Sequence, residues 1–325
     1  MNLVRVGRLL VMFALLGSSA CAHATAGAPT AVESSLLPGR QPAAFRGRDA
    51  ALVGEYDDGH GVSFVIEQGG KLWLLDTAKA TGKLAQVSAN EIARSSLKRR
   101  DVGPRPGTTQ LQVQPVRPVA DVRREALVAA PPSEPTAAKS ADLVELTALD
   151  PTIKLEIRYA TTNNFLGTKF YDEPRAFMQR PAAEAVARAN QKLRTLGYGL
   201  LVYDAYRPWY VTKMFWDATP LDKHWLVANP AQGSKHNRGA AVDLTLFDLA
   251  TGQPVDMPST YDESTGRANA SYPGGTSFQR WNRALLRNAM VAEGFLVNPS
   301  EWWHFDYGTW HDYAIGNVAF DRIGR

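Results

Sequence analysis

Cysteine is almost absent from this chain of 325 residues, which contains only Cys21. A single cysteine excludes an intrachain disulfide and any metal site built from several thiolates. The core must therefore stabilise the fold, and the composition allows this, since 45% of the residues are hydrophobic and 10% are aromatic. The length suffices for one large domain with a small one, or for two domains.

The sequence also has little net charge, with a formal value of +4. It contains no stripe of lysine and arginine interleaved with aromatic residues, which is the pattern expected of a nucleic-acid surface. The short basic cluster Lys98–Arg100 is typical of a solvated linker. We therefore expect no nucleic-acid partner.

No segment is long and apolar enough to span a bilayer, and this includes the run from Leu9 to Leu16. That run follows two arginines and precedes small residues with A-x-A-like cleavage sites, which predicts a secretory signal peptide over residues 1–26. Ser19-Ala20-Cys21 resembles a lipobox, so a lipid anchor at Cys21 is an alternative. We expect an exported protein, either periplasmic or secreted, or else one tethered to the envelope by lipid.

Four segments follow the signal peptide. Residues 27–46 are rich in Ala, Pro and Ser and are predicted to be a flexible spacer. Residues 47–98 contain short β-rich runs separated by glycine turns, which predicts a small antiparallel module. Residues 99–141, rich in Pro, Arg and Ala, are predicted to be a linker with a short helix over Ala120–Ala129. The large domain is expected over residues 142–325.

The large domain mixes predicted helices and strands without a regular βαβ repeat, which indicates an α+β fold. Helix-period apolar patterns bounded by Pro and Gly predict the helices, and short apolar runs predict the strands. The predicted helices are Pro181–Leu196, Trp209–Trp216 and Gln279–Glu293, and the predicted strands are Leu143–Leu149, Lys154–Tyr159, Gly199–Tyr203, Ala240–Leu246, Phe295–Val297 and Trp302–Tyr307.

Two short motifs carry the residues suited to metal chemistry. The stretch Ser234–Asp243 reads S-x-H-x-x-G-x-A-x-D and contains His236 and Asp243, and Glu301-Trp-Trp-His304 adds a second imidazole and carboxylate. Together they supply the residues for a three-ligand catalytic zinc with a separate general base.

Each motif taken alone also has a plain structural interpretation. His236 and Asp243 could be a surface histidine and a capping aspartate, and Glu301 to His304 could be an aromatic core strand with polar residues at its edge. Positions three apart face opposite sides of an ideal strand. A shared site therefore requires the strand to start, bulge or twist at Glu301.

Arg207 is the third candidate, because it follows a predicted buried strand and precedes a proline that restricts its backbone. An arginine there is a good donor to a developing oxyanion or to a substrate carboxylate. An ion pair with Asp204 is the alternative. His224 and His311 lie among aromatic residues, and His60 lies in a turn, so we assign no role to these three histidines.

With these residues in place, the chain resembles the zinc D-alanyl-D-alanine dipeptidases, the VanX-type enzymes, from Asp142 onward. The resemblance rests on the two motifs above together with Arg158-Tyr-Ala-Thr161 and Tyr203-Asp-Ala-Tyr-Arg-Pro208. It implies helices around a central antiparallel sheet, a fold shared with DD-carboxypeptidases and hedgehog domains.

The resemblance also implies the roles of the matched residues. One zinc ion would be bound by His236, Asp243 and His304, with Glu301 as the catalytic base and Arg207 stabilising the transition state. Substrate contacts would come from Tyr159 and Asp262 at the free ammonium group and from Ser234 at the carboxylate.

The resemblance implies a small peptide substrate, D-alanyl-D-alanine or a similar dipeptide, and the predicted export signal implies that it is hydrolysed in the cell envelope. The export signal and the extra module at residues 47–98 depart from the family pattern. A peptidoglycan DD- or LD-carboxypeptidase is therefore an alternative, and a non-enzymatic zinc-containing binding protein is a second one. The presence of both Glu301 and Arg207 argues against a binding protein, which needs neither residue.

Overall fold

The computed structural model describes residues 41–57, 59–77, 82–100, 112–134 and 139–324. The predicted signal peptide and Cys21 lie outside the described residues, as does most of the predicted spacer. Within the described part, no helix has the length and apolar character that crossing a membrane requires.

The fold contains twelve strands and six α-helices in the described ranges. The strands are β1 Gly54–Asp57, β2 Val62–Gln68, β3 Lys71–Asp76, β4 Lys83–Gln86, β5 Lys98–Arg99, β6 Leu143–Glu145, β7 Lys154–Leu155, β8 Phe177–Gln179, β9 Tyr198–Asp204, β10 Ala241–Asp248, β11 Phe295–Asn298 and β12 Glu301–Tyr307. The helices are α1 Ala89–Arg94, α2 Val119–Val128, α3 Leu146–Leu149, α4 Arg180–Arg194, α5 Trp209–Ala218 and α6 Ser277–Val291.

The α+β class is confirmed by two larger sheets flanked by helices. The first sheet has the strand order β4-β3-β2-β1-β5 and the second β11-β12-β10-β9-β7, while β6 and β8 form a separate pair. The second sheet is antiparallel except at one edge, where β7 runs parallel to β9. The expectation of a purely antiparallel central sheet is wrong at that edge, because the chain crosses over through α4 before it returns as β9.

Two predicted strands are shorter than expected. The strand from Leu143 ends at Glu145, and the next four residues form α3, whose first residue Leu146 is fully buried in the core. The strand from Lys154 ends at Leu155 and gives way to a 3-10 turn at Arg158–Ala160. In both places a local apolar run resembles a strand, but the sheet offers no partner beyond two or three residues.

The first sheet is joined to the large domain by a buried carboxylate, Glu67 at the end of β2. Glu67 accepts hydrogen bonds from the amide and hydroxyl of Ser277 at 2.8 and 2.6 Å, at the start of α6. Arg280 in turn donates to the Glu67 carbonyl at 2.7 Å. These contacts tie the β-rich module to α6 even though about 210 residues separate them along the chain.

Part of the predicted linker also packs against the large domain. The predicted short helix is present as α2, and its residues Val122 and Ala126 are fully buried in the main core. The amide of Val113 donates to the carbonyl of Phe165. The described part of this segment therefore contributes to the core that supports the sheet with β9, β10 and β12.

Candidate active site

Three neighbouring strands place polar side chains in one row across the second sheet. Asp243 of β10 pairs with Asp204 of β9 on one side and with His304 of β12 on the other. The register between β9 and β10 shifts directly after Asp243, so an irregularity marks the position. The row forms the base of a cleft at one end of the sheet.

His236 reaches this row from a 3-10 turn, His236–Arg238, that precedes β10. Gly239 ends the turn in the left-handed region with φ 66°, and a Cβ built there would lie 2.5 Å from Cδ2 of Leu143. Only glycine combines that backbone conformation with so close an approach. The glycine of the motif thus allows the chain to turn from His236 into the strand of Asp243.

The three predicted ligands converge closely. Oδ1 of Asp243 lies 3.4 Å from Nε2 of His236 and 3.0 Å from Nδ1 of His304, and the two ring nitrogens are 3.2 Å apart. Within the described residues, these three form the group of histidine, aspartate and glutamate side chains that could hold a metal ion.

Hydrogen bonds on the outer side of each ligand determine which atoms face inward. Nδ1 of His236 lies 2.7 Å from the carbonyl of Ala205, and Nε2 of His304 lies 2.9 Å from Oδ1 of Asp306. Both outer nitrogens must carry protons to donate these bonds, which leaves a lone pair on each inner nitrogen. Oδ2 of Asp243 accepts from the hydroxyl of Tyr261 at 3.0 Å.

The inner atoms are therefore three acceptors within hydrogen-bond distance of one another. Oδ1 of Asp243 is buried and has no hydrogen-bond partner among the described residues. Such an arrangement is unfavourable unless a cation lies between the acceptors, so the donor set fits a divalent metal.

The directions in which the pKa values of Asp243 and His304 are shifted also indicate that the cluster favours a positive charge. Burial tends to raise the pKa of Asp243, but His236 and His304 outweigh it and hold the pKa below its usual range. Burial tends to lower the pKa of His304, but the nearby carboxylates of Asp243 and Asp306 outweigh it and raise that pKa.

Glu301 faces the same cleft because the strand is irregular where it begins. The register between β11 and β12 shifts between Val297 and Asn298, and Asn298 then pairs with Glu301. Oε2 of Glu301 accepts from Nδ2 of Asn298 at 3.0 Å and lies 3.6 Å from Nδ1 of His304. The side chain is 40% exposed through the open cleft, yet the surrounding walls desolvate the carboxyl and raise its pKa.

Arg207 forms a buried ion pair with Asp204 and also lines the cleft. The two interpretations of Arg207 from sequence, an ion pair and a residue beside the substrate, are therefore compatible. Its Nε and Nη2 donate to Oδ2 of Asp204 at 3.0 and 2.7 Å, and its guanidinium lies over the rings of Tyr159 and Phe215. Burial alone would lower the pKa of Arg207, but Asp204 outweighs it and raises the pKa, so the side chain stays charged. Nη1 is not used by this ion pair.

The predicted substrate contacts lie at two places along the cleft. The hydroxyl of Tyr159 donates to Oδ2 of Asp262 at 2.8 Å. Asp262 has φ 57° and is the one non-glycine residue in the described ranges with a positive φ. Oγ of Ser234 is buried and has no hydrogen-bond partner among the described residues.

All eight predicted site residues line one cavity of about 530 Å³. They are Tyr159, Arg207, Ser234, His236, Asp243, Asp262, Glu301 and His304. The other histidines in the described ranges lie elsewhere: His224 packs on Trp216, His311 lies beside Trp310, and His60 is exposed between β1 and β2.

The prediction from sequence missed Asp306 and Tyr261, which form hydrogen bonds with the candidate ligands His304 and Asp243. Burial tends to raise the pKa of Asp306, but His304 and Lys235 outweigh it and lower the pKa, so the carboxylate is ionised. The strand period of two places residues 304 and 306 on one face, so the motif E-W-W-H-F-D contained a signal for Asp306. Tyr261 had no such signal, because it comes from a distant loop.

Comparison with known proteins places this region among peptidases. A family model described as D-ala-D-ala dipeptidase matches residues 139–317. A D-alanyl-D-alanine dipeptidase of Escherichia coli is 35% identical over 174 residues, which cover 54% of this chain and 89% of that protein. Dipeptidases of Enterococcus faecium and Streptomyces coelicolor are 33% and 32% identical, and the matches cover 52% and 47% of this chain and 91% and 85% of those proteins.

Proposed function

The chain belongs to the D-ala-D-ala dipeptidase family, and we propose that it hydrolyses D-alanyl-D-alanine or a similar dipeptide with one bound zinc ion. The observation that carries the proposal is the cluster of His236, Asp243 and His304, whose inner atoms are three acceptors facing one another. Two nitrogens and one carboxylate oxygen are a frequent ligand set of catalytic zinc. A zinc ion held by His236, Asp243 and His304 would lower the pKa of water to about 7 and would polarise the scissile carbonyl.

Glu301 is the proposed general base. Its carboxyl lies at the edge of the ligand cluster, and its raised pKa suits a group that must accept a proton from water and then release it. The proton leaves on the amine of the departing amino acid, so Glu301 ends the cycle ionised. Asn298 holds Oε2 by a hydrogen bond and so orients the carboxyl.

Arg207 and the two ends of the cleft orient the substrate. Arg207 stays charged and has Nη1 outside its ion pair with Asp204, so it can donate to the oxygen that becomes negative when water adds to the carbonyl. Asp262, held by Tyr159, is suited to bind the substrate's ammonium group. The hydroxyl of Ser234, which has no hydrogen-bond partner among the described residues, is suited to bind the substrate's carboxylate.

We further propose that the protein meets its substrate outside the cytoplasm. Support comes from the sequence alone, from the charged and apolar pattern of residues 1–26. Lipid attachment at Cys21 is the alternative to a free exported form. Mass spectrometry of the protein from its membrane and soluble envelope fractions distinguishes the acylated from the free form.

The variant Glu301→Gln tests the mechanism. It keeps the shape of the side chain but cannot accept a proton, so we expect kcat for D-alanyl-D-alanine to fall by about 10²–10⁴-fold. Zinc content should stay near one ion per chain, because Glu301 is not among the three ligands. The matched control is Glu184→Gln on the exposed face of α4. Full activity of the Glu301→Gln protein would show that another group is the base.

A further inference from the structure

A second cavity of about 450 Å³ adjoins the first one. The two cavities share walls, among them Tyr159, Asp262, Glu301 and Trp303. The proposed base and the proposed ammonium contact therefore stand at the boundary between two compartments. We call the cavity with the metal ligands the first compartment and its neighbour the second.

Charge is distributed unevenly along the two compartments. The cationic side chains of Arg207, Lys235 and Arg238 line only the first compartment, where each is paired with a carboxylate, that of Asp204, Asp306 and Glu134 respectively. The carboxyl groups of Asp262 and Glu301 stand at the boundary. A peptide that meets Ser234 with its carboxylate and Asp262 with its amino end would therefore lie with its carboxyl end in the first compartment and its amino end towards the second.

Beyond the boundary, the walls of the second compartment are mostly neutral. Ser264, Thr265, Asn269 and Ser300 supply hydroxyl and amide groups, while aromatic rings and two aliphatic side chains form the apolar part. Among the described residues that line it, none is a lysine or arginine.

One charged side chain, that of Glu263, lines the second compartment beyond the boundary. Its Oε1 accepts from Nε of the buried Arg267 at 2.7 Å. The compartment is therefore suited to a neutral or basic side chain, and it offers no cation to an acidic one.

We propose that the second compartment is a subsite for the residue that precedes the scissile dipeptide, so that the enzyme also cleaves longer peptides whose preceding residue is neutral or basic. The inference rests on the proposed function. The volume lies within the range of small-molecule sites, about 300–1,000 Å³.

The cleaved bond is still the last peptide bond: water adds its hydroxyl to the carbonyl carbon, and the leaving amine takes a proton. In a longer peptide, an amide N–H takes the place of the ammonium group that donates to Asp262.

Steady-state kinetics on the zinc-loaded protein test the subsite directly. The substrates are D-alanyl-D-alanine and three tripeptides that place L-Ala, L-Lys or L-Glu before it. We expect kcat/KM for the Ala and Lys tripeptides to lie within about tenfold of the dipeptide. The Glu tripeptide should be cleaved at least about tenfold less efficiently than the Lys tripeptide, because Asp262 repels its carboxylate and the lining of the second compartment offers it no lysine or arginine.

A blocking variant tests where the extra residue binds. Gly266 lines the second compartment, its φ is not positive, and a Cβ built there meets no atom within 4 Å. In Gly266→Trp, the ratio of kcat/KM for the Ala tripeptide to that for the dipeptide should fall at least about tenfold. Ser300 also lines the second compartment, so Ser300→Trp should have the same effect and replaces the first variant if that one does not fold. The control is Val128→Trp, because Val128 is 88% exposed and lines neither compartment.

The outcomes separate this inference from the proposed function. Cleavage of the dipeptide with no cleavage of any tripeptide would overturn the subsite and leave the dipeptidase function standing. Cleavage of neither would overturn both. An unchanged ratio in folded Gly266→Trp and Ser300→Trp proteins would show that longer peptides, if cleaved, leave the cleft by another route, and this too would overturn the subsite.

Discussion

The substitution Asp306→Asn removes a charge beside the proposed metal site without removing a proposed ligand. Oδ1 of Asp306 accepts the proton of Nε2 of His304 at 2.9 Å, and Oδ2 accepts from Nζ of Lys235 at 2.6 Å. The carboxylate is buried, so neither bond is easily replaced by water. Asparagine has nearly the same shape and can still accept from His304, but its amide nitrogen would face the Lys235 ammonium.

The expected loss follows from the role of such outer hydrogen bonds. A carboxylate that accepts from a metal-binding histidine fixes the ring and makes its other nitrogen a better ligand, and its removal typically weakens metal binding about 10–100-fold. We therefore expect the zinc affinity of Asp306→Asn to fall by that factor, which corresponds to about 1.4–2.8 kcal/mol. Turnover at saturating zinc should fall less, because all three ligands and Glu301 remain.

Competition with a chromophoric chelator at fixed pH measures the zinc affinity. The matched control is Asp312→Asn, which makes the same chemical change at an aspartate paired with Lys139 outside the cleft. The control should bind zinc as the unsubstituted protein does. If Asp306→Asn folds with an unchanged melting temperature and binds zinc within twofold of the unsubstituted protein, Asp306 does not support the metal site.

Three further substitutions test the fold around the site. Glu67→Ala should lower the free energy of unfolding by about 2–4 kcal/mol in urea titrations, since it strands the buried amide and hydroxyl of Ser277. Gly239→Ala should cost about 1–3 kcal/mol and weaken zinc binding, because its φ is positive and its Cβ would meet Leu143. Burial tends to raise the pKa of Glu293, but hydrogen bonds from two basic residues outweigh it and lower the pKa. Its stabilisation is therefore present above the unfolded pKa, about 4.3, and is lost as pH falls through the folded pKa. The melting temperatures of Glu293→Gln and the unsubstituted protein should differ at about pH 6 and converge near about pH 3.

Each of these expectations has a result that contradicts it. The control for Glu67→Ala is Glu184→Ala at an exposed position of α4, which should change the free energy of unfolding by less than about 0.5 kcal/mol. If Glu67→Ala costs no more than this control, the buried contacts of Glu67 do not stabilise the fold. Unchanged stability and zinc binding in Gly239→Ala would mean that the turn tolerates a side chain. If the melting temperatures of Glu293→Gln and the unsubstituted protein differ by the same amount at every pH, the ionised form of Glu293 does not stabilise the fold.

Local sequence was sufficient where neighbouring residues determine the structure. Helix α6 has a capping box, in which Thr276 and Gln279 exchange hydrogen bonds, followed by a helix-period apolar pattern. The prediction began at Gln279 rather than Ser277 because it followed the apolar pattern and not the cap. The short motifs likewise contained the ligands, since Gly239 and the strand of Asp243 are within a few residues of His236.

Tertiary structure decided everything that depends on residues distant along the chain. Leu143–Leu149 and Lys154–Tyr159 contain strand-like runs, but the sheet provides partners for only their first residues. The Tyr261 hydroxyl at Asp243 and the Glu67 carboxylate at Ser277 join segments that no local pattern relates. The second compartment arises in the same way, because its walls come from four separate stretches of chain.

The sequence by itself determined which residue types carry the chemistry, because imidazole, carboxylate and guanidinium groups at motif spacing restrict the reactions available. It left open whether Glu301 and His304 share a face, and whether Arg207 serves an ion pair or the cleft. The register shift between β11 and β12 brings Glu301 and His304 to one site, and burial of Asp204 lets Arg207 do both. These outcomes depend on how strands pair and which groups lose water, and both are properties of the packed fold.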